Sequence, residues 1–303
     1  MISLGVIGEC MLEFREKAGS YTLGYGGDVF NTAVYASRLG LDVKFFTATG
    51  DDRFSRYLVE SWIKEGIATD TVRIIPDLTP SLYIIKTDET GERTFHYWRE
   101  ASPFIQWLLP GEYVQNLPGK LESCQCVYFS GISLALLSDD DKALLLQILK
   151  SYREAGGLVG FDPNYRPRLW QCSSEAEAWI DRAYSISDIV FPSYDDEVLL
   201  RPERSKSNLI EHMISLGVKE VVMKDGAHGA TVNIGGQSQS LTAVPVETVV
   251  DTTAAGDSFN GGYLSIRLKG GDAISSAEMG CKVAAKVIQH SGAIISDKVK
   301  LAE

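Results

Sequence analysis

The amino-acid sequence predicts an α/β fold: a mostly parallel sheet flanked by helices, with a small β-sheet lid. Short apolar runs alternate with helical patterns of ten or more residues, the rhythm of βαβ units. Capping and stop residues stand at the ends of several of those helical patterns. One stretch breaks the rhythm with two extended runs joined by a short polar loop, a hairpin excursion that a parallel α/β chain does not require.

The elements follow in order. Residues 2–9 read as a buried strand, and Asp28 as the N-cap of a helix that stops at Gly40. Residues 43–47 form a strand and 54–65 an amphipathic helix. The hairpin comprises 81–87 and 93–99, joined by Asp88-Glu-Thr-Gly-Glu92 with Gly91 in the loop. Side chains two apart share a strand face, so Arg93, Phe95, Tyr97 and Arg99 point one way and Thr94, His96 and Trp98 the other. Residues 126–130 are a strand, and Ser138 caps a helix running through Leu145 and Ile148 to Gly156. Further strands are expected at 158–162, 189–191, 220–224 and 246–251, and a helix at 258–269 before Gly270-Gly271. In such sheets ligands lie beyond the carboxyl ends of the strands.

The bulk numbers narrow the function. The 303 residues are 45% apolar and 23% charged, which suits one large α/β domain or one with a small appendage. Cys10, Cys124, Cys126, Cys172 and Cys281 are odd in number and scattered, so no disulfide framework is expected and a reducing cytoplasm is the expected compartment. The start lacks a basic region before its apolar residues, and no apolar run approaches the ~18 residues a spanning helix needs. Forty acidic against twenty-nine basic side chains leave a formal charge of −11 with no Lys/Arg run, so neither nucleic acid nor membrane is an expected partner. An anionic ligand must then be held by local arginines, backbone amides or a metal ion.

The chemistry concentrates in Asp251-Thr-Thr-Ala-Ala-Gly-Asp257. A turn of small residues that opens a helix exposes unpaired N–H groups, and the helix dipole adds positive potential there. Gly256 lets the chain approach phosphates closely, and Asp257 places a carboxylate beside them. Phosphoryl transfer needs positioning, charge neutralisation and a group to take the hydroxyl proton. Ala254, Ala255 and Gly256 are the expected anion hole and Asp257 the expected base, its pKa kept low by the helix N-terminus. The four histidines are dispersed and suggest no zinc site, and Cys124 and Cys126 read as core. There is no P-loop motif, and Gly5-Val-Ile-Gly8 lacks the full dinucleotide-binding turn.

With that segment, the chain resembles the ribokinase-like (PfkB) carbohydrate kinases. Their Asp-Thr-x-Gly-Ala-Gly-Asp signature appears with Ala254 in place of its first glycine, and their other signature as Gly26-Gly-Asp-Val-Phe-Asn31-Thr-Ala. Within the family, Gly91-Glu-Arg-Thr-Phe-His-Tyr-Trp-Arg99 and Phe161-Asp-Pro-Asn-Tyr-Arg-Pro-Arg-Leu-Trp170 are similar to the branch that acts on 2-keto-3-deoxygluconate. The resemblance implies a three-layer α/β/α core from 1–11, 26–71 and 104–303, with a lid from 12–25 and 72–103 that pairs between subunits of a homo-oligomer. It implies ATP and Mg²⁺ as cofactors, with a monovalent cation as a further candidate, and a sugar acid as acceptor.

Residue by residue, the resemblance places Gly27, Asn31, Tyr83, Tyr97, Arg99 and Arg166 at the acceptor, with Asp257. It places Asn164, Lys224, Gly226, Gly229 and Gly256 at the nucleotide. The family's Asn-x-x-Glu motif matches Ser193 to Asp196 here, leaving Asp196 and Glu197 as candidates to order magnesium through water. Guanidinium suits a carboxylate, which favours Arg99 and Arg166. Read from the residues alone, Arg99 is better taken as a solvated lid charge and Tyr97 as an interface aromatic, and Arg166 has the alternative of a structural bridge to an aspartate. A kinase of neutral sugars such as fructose, a nicotinamide dehydrogenase and a sugar sensor without catalysis are the competing readings.

Overall fold

The computed structural model describes residues 3–17, 19–87 and 93–301, so the expected hairpin loop at 88–92 lies outside the described residues. In chain order, β1 (Ser3–Ile7), β2 (Met11–Lys17) and β3 (Ser20–Gly26) lead into α1 (Asp28–Arg38). Then come β4 (Asp42–Phe46), β5 (Ala48–Thr49), α2 (Arg53–Lys64), β6 (Ile67–Ala68), β7 (Arg73–Ile74), β8 (Leu82–Thr87) and β9 (Arg93–Trp98). The middle of the chain holds α3 (Glu112–Leu121), β10 (Cys126–Ser130), α4 (Gly131–Ala135), α5 (Asp139–Glu154), β11 (Leu158–Asp162), α6 (Ser173–Ser185) and β12 (Ile189–Val190). It closes with α7 (Tyr194–Leu200), α8 (Lys206–Ser215), β13 (Glu220–Lys224), β14 (Ala230–Ile234), β15 (Gln237–Leu241), α9 (Ala255–Arg267) and α10 (Ala273–Val287).

Nine strands form the main sheet in the order β15-β14-β13-β12-β11-β10-β1-β4-β6. The pairs from β6 to β13 are parallel, and β14 and β15 extend the edge antiparallel. Because strand side chains alternate between faces, Val127 and Phe129 of β10 enter one apolar cluster with Leu145, Trp179 and Met213. Cys126 and Tyr128 enter the other with Phe30, Trp62 and Tyr263. Burying both faces under helices produces the three layers. The chain leaves β1 toward β4 on one side and returns as β10 on the other, so a crevice opens beyond the carboxyl ends of β1 and β10.

A separate four-stranded sheet, β3-β2-β8-β9, corresponds in position to the expected lid. Its face toward the crevice carries Met11, Tyr83, Ile85, Phe95 and Tyr97, and Trp98 faces away, as strand alternation required.

Several expectations change. The residues 246–251 are not a strand; the N–H groups of Val250 and Asp251 donate to Ile288 O, at 2.8 and 3.1 Å, instead of joining the sheet. Val249 and Val250 are exposed. Gly27, not Asp28, is the N-cap of α1, and Asp28 is its first helical residue. The pair β14–β15 went unforeseen although Gly235-Gly236 between Ile234 and Gln237 is a two-residue hairpin turn, both glycines at positive φ. The Ser138 cap is as expected, its hydroxyl accepting from Asp141 N.

Candidate active site

A cleft of about 1160 Å³ lies between the carboxyl edge of the main sheet and the lid. Every site residue expected from the sequence lines it except Glu197.

Its floor is the start of α9. Ala254, the N-cap, sits in the left-handed region at φ 61° and ψ 18°, a conformation that costs a residue with a Cβ about 1 kcal/mol or more. The Ala255 N–H closes the turn on Thr252 O at 3.1 Å, and Ser258 N–H on Ala254 O at 2.8 Å. Among the described residues, the N–H groups of Gly256 and Asp257 meet no protein acceptor, so two donors and the positive end of the helix face the cleft. Of the expected anion-hole residues, Ala255 thus has its amide engaged in the turn. Asp251, buried at the entry, accepts from Thr253 N at 2.9 Å and Gly292 N at 2.5 Å and so ties the turn to the loop after α10.

Asp257 projects from the first turn. Its Oδ2 accepts from Asn31 Nδ2 at 2.8 Å, and its carbonyl from Thr32 Oγ1 at 3.1 Å, which locks α1 onto α9. Gly27 permits that placement: a Cβ there would lie 2.4 Å from Glu9 O, where the start of α1 crosses the end of β1.

Two further carboxylates stand near Asp257. Asp162, at the end of β11, accepts from Asn164 N at 3.0 Å, Lys224 Nζ at 2.6 Å and Asn260 Nδ2 at 2.7 Å. Asn164 Nδ2 in turn donates to Asp28 Oδ2 at 3.0 Å, and burial pushes Asp28 up. The consequence for Asp257 corrects the sequence expectation. Burial, with Asp28 second and Asp162 adding, pushes its pKa up to about 7, and Asn31 and Lys224 only partly oppose this. The helix N-terminus is outweighed because neighbouring acids share the same poorly hydrated pocket.

The two expected carboxylate grips are already engaged. Arg99 reaches from the lid to Glu9, with Nη2 at 2.6 Å and Nε at 3.2 Å from Oε2, and both side chains are largely buried. It is not a solvated charge. Arg166 donates from Nη1 to both oxygens of Asp196 at 3.0 Å, the bridge to an aspartate that the residues alone also allowed. Tyr83 donates to Glu13 Oε2 at 2.6 Å. The ring of Tyr97 lies beneath two guanidinium groups, Arg168 at 4.2 Å and Arg99 at 5.5 Å from its centroid.

Of the candidate magnesium residues, Asp196 faces the cleft. Glu197 does not: it is 1% exposed, accepts from Tyr184 OH at 2.5 Å and pairs with Arg201 at 2.7 Å in the core. Each step along a helix turns a side chain by about 100°, and the step from Asp196 to Glu197 carries the latter away from the cleft and into the core. Asp195 lines the cleft instead. The other end of the cleft is the loop after β13, where Gly226 and Gly229 adopt positive φ and face apolar Val244, Val246, Val249 and Ile288. Asp28, Asp162, Asn260 and Arg168 were not singled out from the sequence. Asp162 had a usable signal, an acid ending an otherwise apolar strand, whereas Arg168 had none beyond its motif.

Comparison with known proteins shows the family. The model of the pfkB family carbohydrate kinases matches residues 1–300. A 2-dehydro-3-deoxygluconokinase of Dickeya dadantii is 44% identical over 302 residues, covering 97% of this chain and 96% of the relative. One from Escherichia coli K12 is 42% identical over 299 residues, covering 96% of each. The solved structure of a putative ribokinase II from E. coli in complex with ATP and Mg²⁺ has the same fold, with a TM-score of 0.84 at 22% identity over 97% of this chain and 94% of that one. The chain is a member of the pfkB family of carbohydrate kinases.

Proposed function

We propose that this kinase transfers the γ-phosphoryl group of ATP to the 6-hydroxyl of 2-keto-3-deoxygluconate. One observation carries the mechanism: Asp257 stands in the same helix turn as the free N–H groups of Gly256 and Asp257, within one cleft that the lid covers. The acceptor hydroxyl donates to the Asp257 carboxylate, which Asn31 holds in place, while the two amides and Lys224 face the charge developing on the transferring phosphoryl group. The proton passes to Asp257 as the new O–P bond forms. With a pKa near 7, Asp257 is a better proton acceptor than an ordinary carboxylate and remains substantially ionised at neutral pH.

The acceptor lies against Gly27, Asn31, Tyr83, Tyr97, Arg99 and Arg166; the nucleotide lies along Asn164, Lys224, Gly226, Gly229 and Gly256. Asp195 and Asp196 at the start of α7 offer oxygen donors suited to a hydrated magnesium ion, which would neutralise phosphate charge. The names of the relatives support the keto acid as acceptor, and five free thiols, four of them buried, suit a cytoplasmic setting. The lid pairs with a second copy through its outer face, where Tyr21, Leu23 and Trp98 are exposed; Trp98→Glu should then yield monomers in sedimentation.

The test of the activity is a coupled ADP-release assay on a panel of keto-deoxy acids and neutral sugars. A clear preference for fructose over 2-keto-3-deoxygluconate would replace the proposed acceptor with a neutral hexose.

A further inference from the structure

We propose that Arg15 is a positioning residue that fixes the lid against the loop supporting the anion-hole turn, so that acceptor hydroxyl and transferring phosphoryl group meet in one geometry. The inference rests on the reading of the cleft given above. Met11, Glu13 and Arg15 share one face of β2, because strand side chains two apart point the same way. On that face Met11 packs with Tyr83, which lines the cleft. Glu13 accepts from Tyr83 OH on one oxygen at 2.6 Å and from Arg15 Nη2 on the other at 2.7 Å. The Glu13 and Arg15 side chains are 10% and 25% exposed, so water screens the pair only in part. Arg15 then leaves the lid: its Nη1 donates to Ser291 Oγ at 3.0 Å, in the loop after α10. The guanidinium lies against the bare backbone of Gly292, where a Cβ would stand 2.8 Å from Nη2. The Gly292 N–H donates to Asp251, and the other oxygen of Asp251 holds Thr253 N at the entry to the turn. Contacts thus run unbroken from the acceptor wall to the phosphate floor through Tyr83, Glu13, Arg15, Gly292 and Asp251.

The loop has anchors of its own on α1. Tyr35 OH donates to Ala293 O at 2.6 Å and accepts from Ile295 N at 3.2 Å, and Arg38 Nη1 donates to Ile295 O at 2.7 Å. The turn therefore keeps its shape without Arg15. What Arg15 fixes is the lid relative to that turn. A groove of about 420 Å³ lies between residues 22–25 of the lid and residues 291–297, so close packing does not set their separation there. The guanidinium does: it is planar with donors in several directions, and here one serves Glu13 and another Ser291. Phosphoryl transfer is sensitive to that separation, because a misplacement of about 1 Å between reacting groups costs on the order of a hundredfold in rate.

The test follows Arg15→Ala, Arg15→Lys, Ser291→Ala and the double alanine variant in two reactions. One is phosphorylation of 2-keto-3-deoxygluconate, or of fructose should the panel favour it; the other is the slow hydrolysis of ATP without acceptor. Loss of the bridge predicts that Arg15→Ala lowers kcat for sugar phosphorylation roughly tenfold to a hundredfold. Acceptor-free hydrolysis, and the Kd for ATP measured by calorimetry, should stay within about threefold, because the turn keeps its anchors on α1. Arg15→Lys, which restores the charge without the fork, should recover part of the loss. Since Arg15 and Ser291 act through one contact, the double variant should be no slower than Arg15→Ala. A kcat for Arg15→Ala within about threefold of the unmodified enzyme overturns the assignment. So do additive losses in the double variant, and so does an equal fall in phosphorylation and in acceptor-free hydrolysis, which marks a general loss of structure. If the unmodified enzyme phosphorylates neither sugar, the proposed activity itself is wrong and this assignment falls with it.

Discussion

Replacing Asp257 by asparagine should abolish turnover and, at neutral pH, make the protein more stable. The carboxylate titrates near 7 in the fold and near 3.8 when unfolded, a gap of about three pH units. Each unit corresponds to 1.36 kcal/mol, so the ionised form costs the folded state at most ~4 kcal/mol above pH 7. Asp257 opens onto the cleft, and water there reduces that figure; a gain of about 1–3 kcal/mol is expected. Asparagine keeps an oxygen for the Asn31 hydrogen bond, so the substitution removes the charge and little else. Between pH 4 and 7 the unfolded chain has released this proton while the native one retains it, so native stability falls as pH rises through that window. Asp257→Asn does not titrate, and its advantage should be absent below pH 4 and grow to a plateau above pH 7. Urea denaturation from pH 4 to 8 measures this directly, and parallel stability curves for the two proteins would refute the argument. The unmodified enzyme should lose kcat below about pH 7 as the base protonates.

Further consequences follow from the same geometry. Asp28→Asn removes the strongest charged neighbour that raises Asp257, so the acid limb of the pH–rate profile should move to lower pH; an unmoved limb would separate the two acids. Gly27→Ala forces a Cβ to within 2.4 Å of Glu9 O, and displacing α1 should destabilise the fold by about 2 kcal/mol or more and weaken acceptor binding, read by denaturation and KM. Ala254→Gly relieves a left-handed residue and should leave activity intact while changing stability by about 1 kcal/mol in the favourable direction; a loss would mean that the unfolded-state entropy of glycine dominates.

Much of this molecule was legible in the linear chain. The alternation of short apolar runs with capped helical stretches foretold the parallel sheet, because burying two faces of a strand and one face of a helix leaves a local imprint on every few residues. The hairpin faces were also local, since pleating alone puts Phe95 and Tyr97 on one side and Trp98 on the other. The unpaired amides of the small-residue turn before Asp257 could be expected from the sequence because free N–H groups at a helix start require no distant partner. Segments whose role depends on remote partners were misread. Residues 246–251 have the composition of a strand, yet bond to Ile288 and line the cleft. Which charges are free was likewise decided only in three dimensions. Glu9 and Asp196 come from distant parts of the chain to neutralise Arg99 and Arg166, and Glu197 turns into the core one step from Asp196. The pKa of Asp257 is the clearest case: its own helix argues for a low value, but Asp28 and Asp162, brought beside it by β11 and α1, raise it. Propensity and pattern are properties of neighbours in sequence, whereas the electrostatic state of a side chain is a sum over neighbours in space.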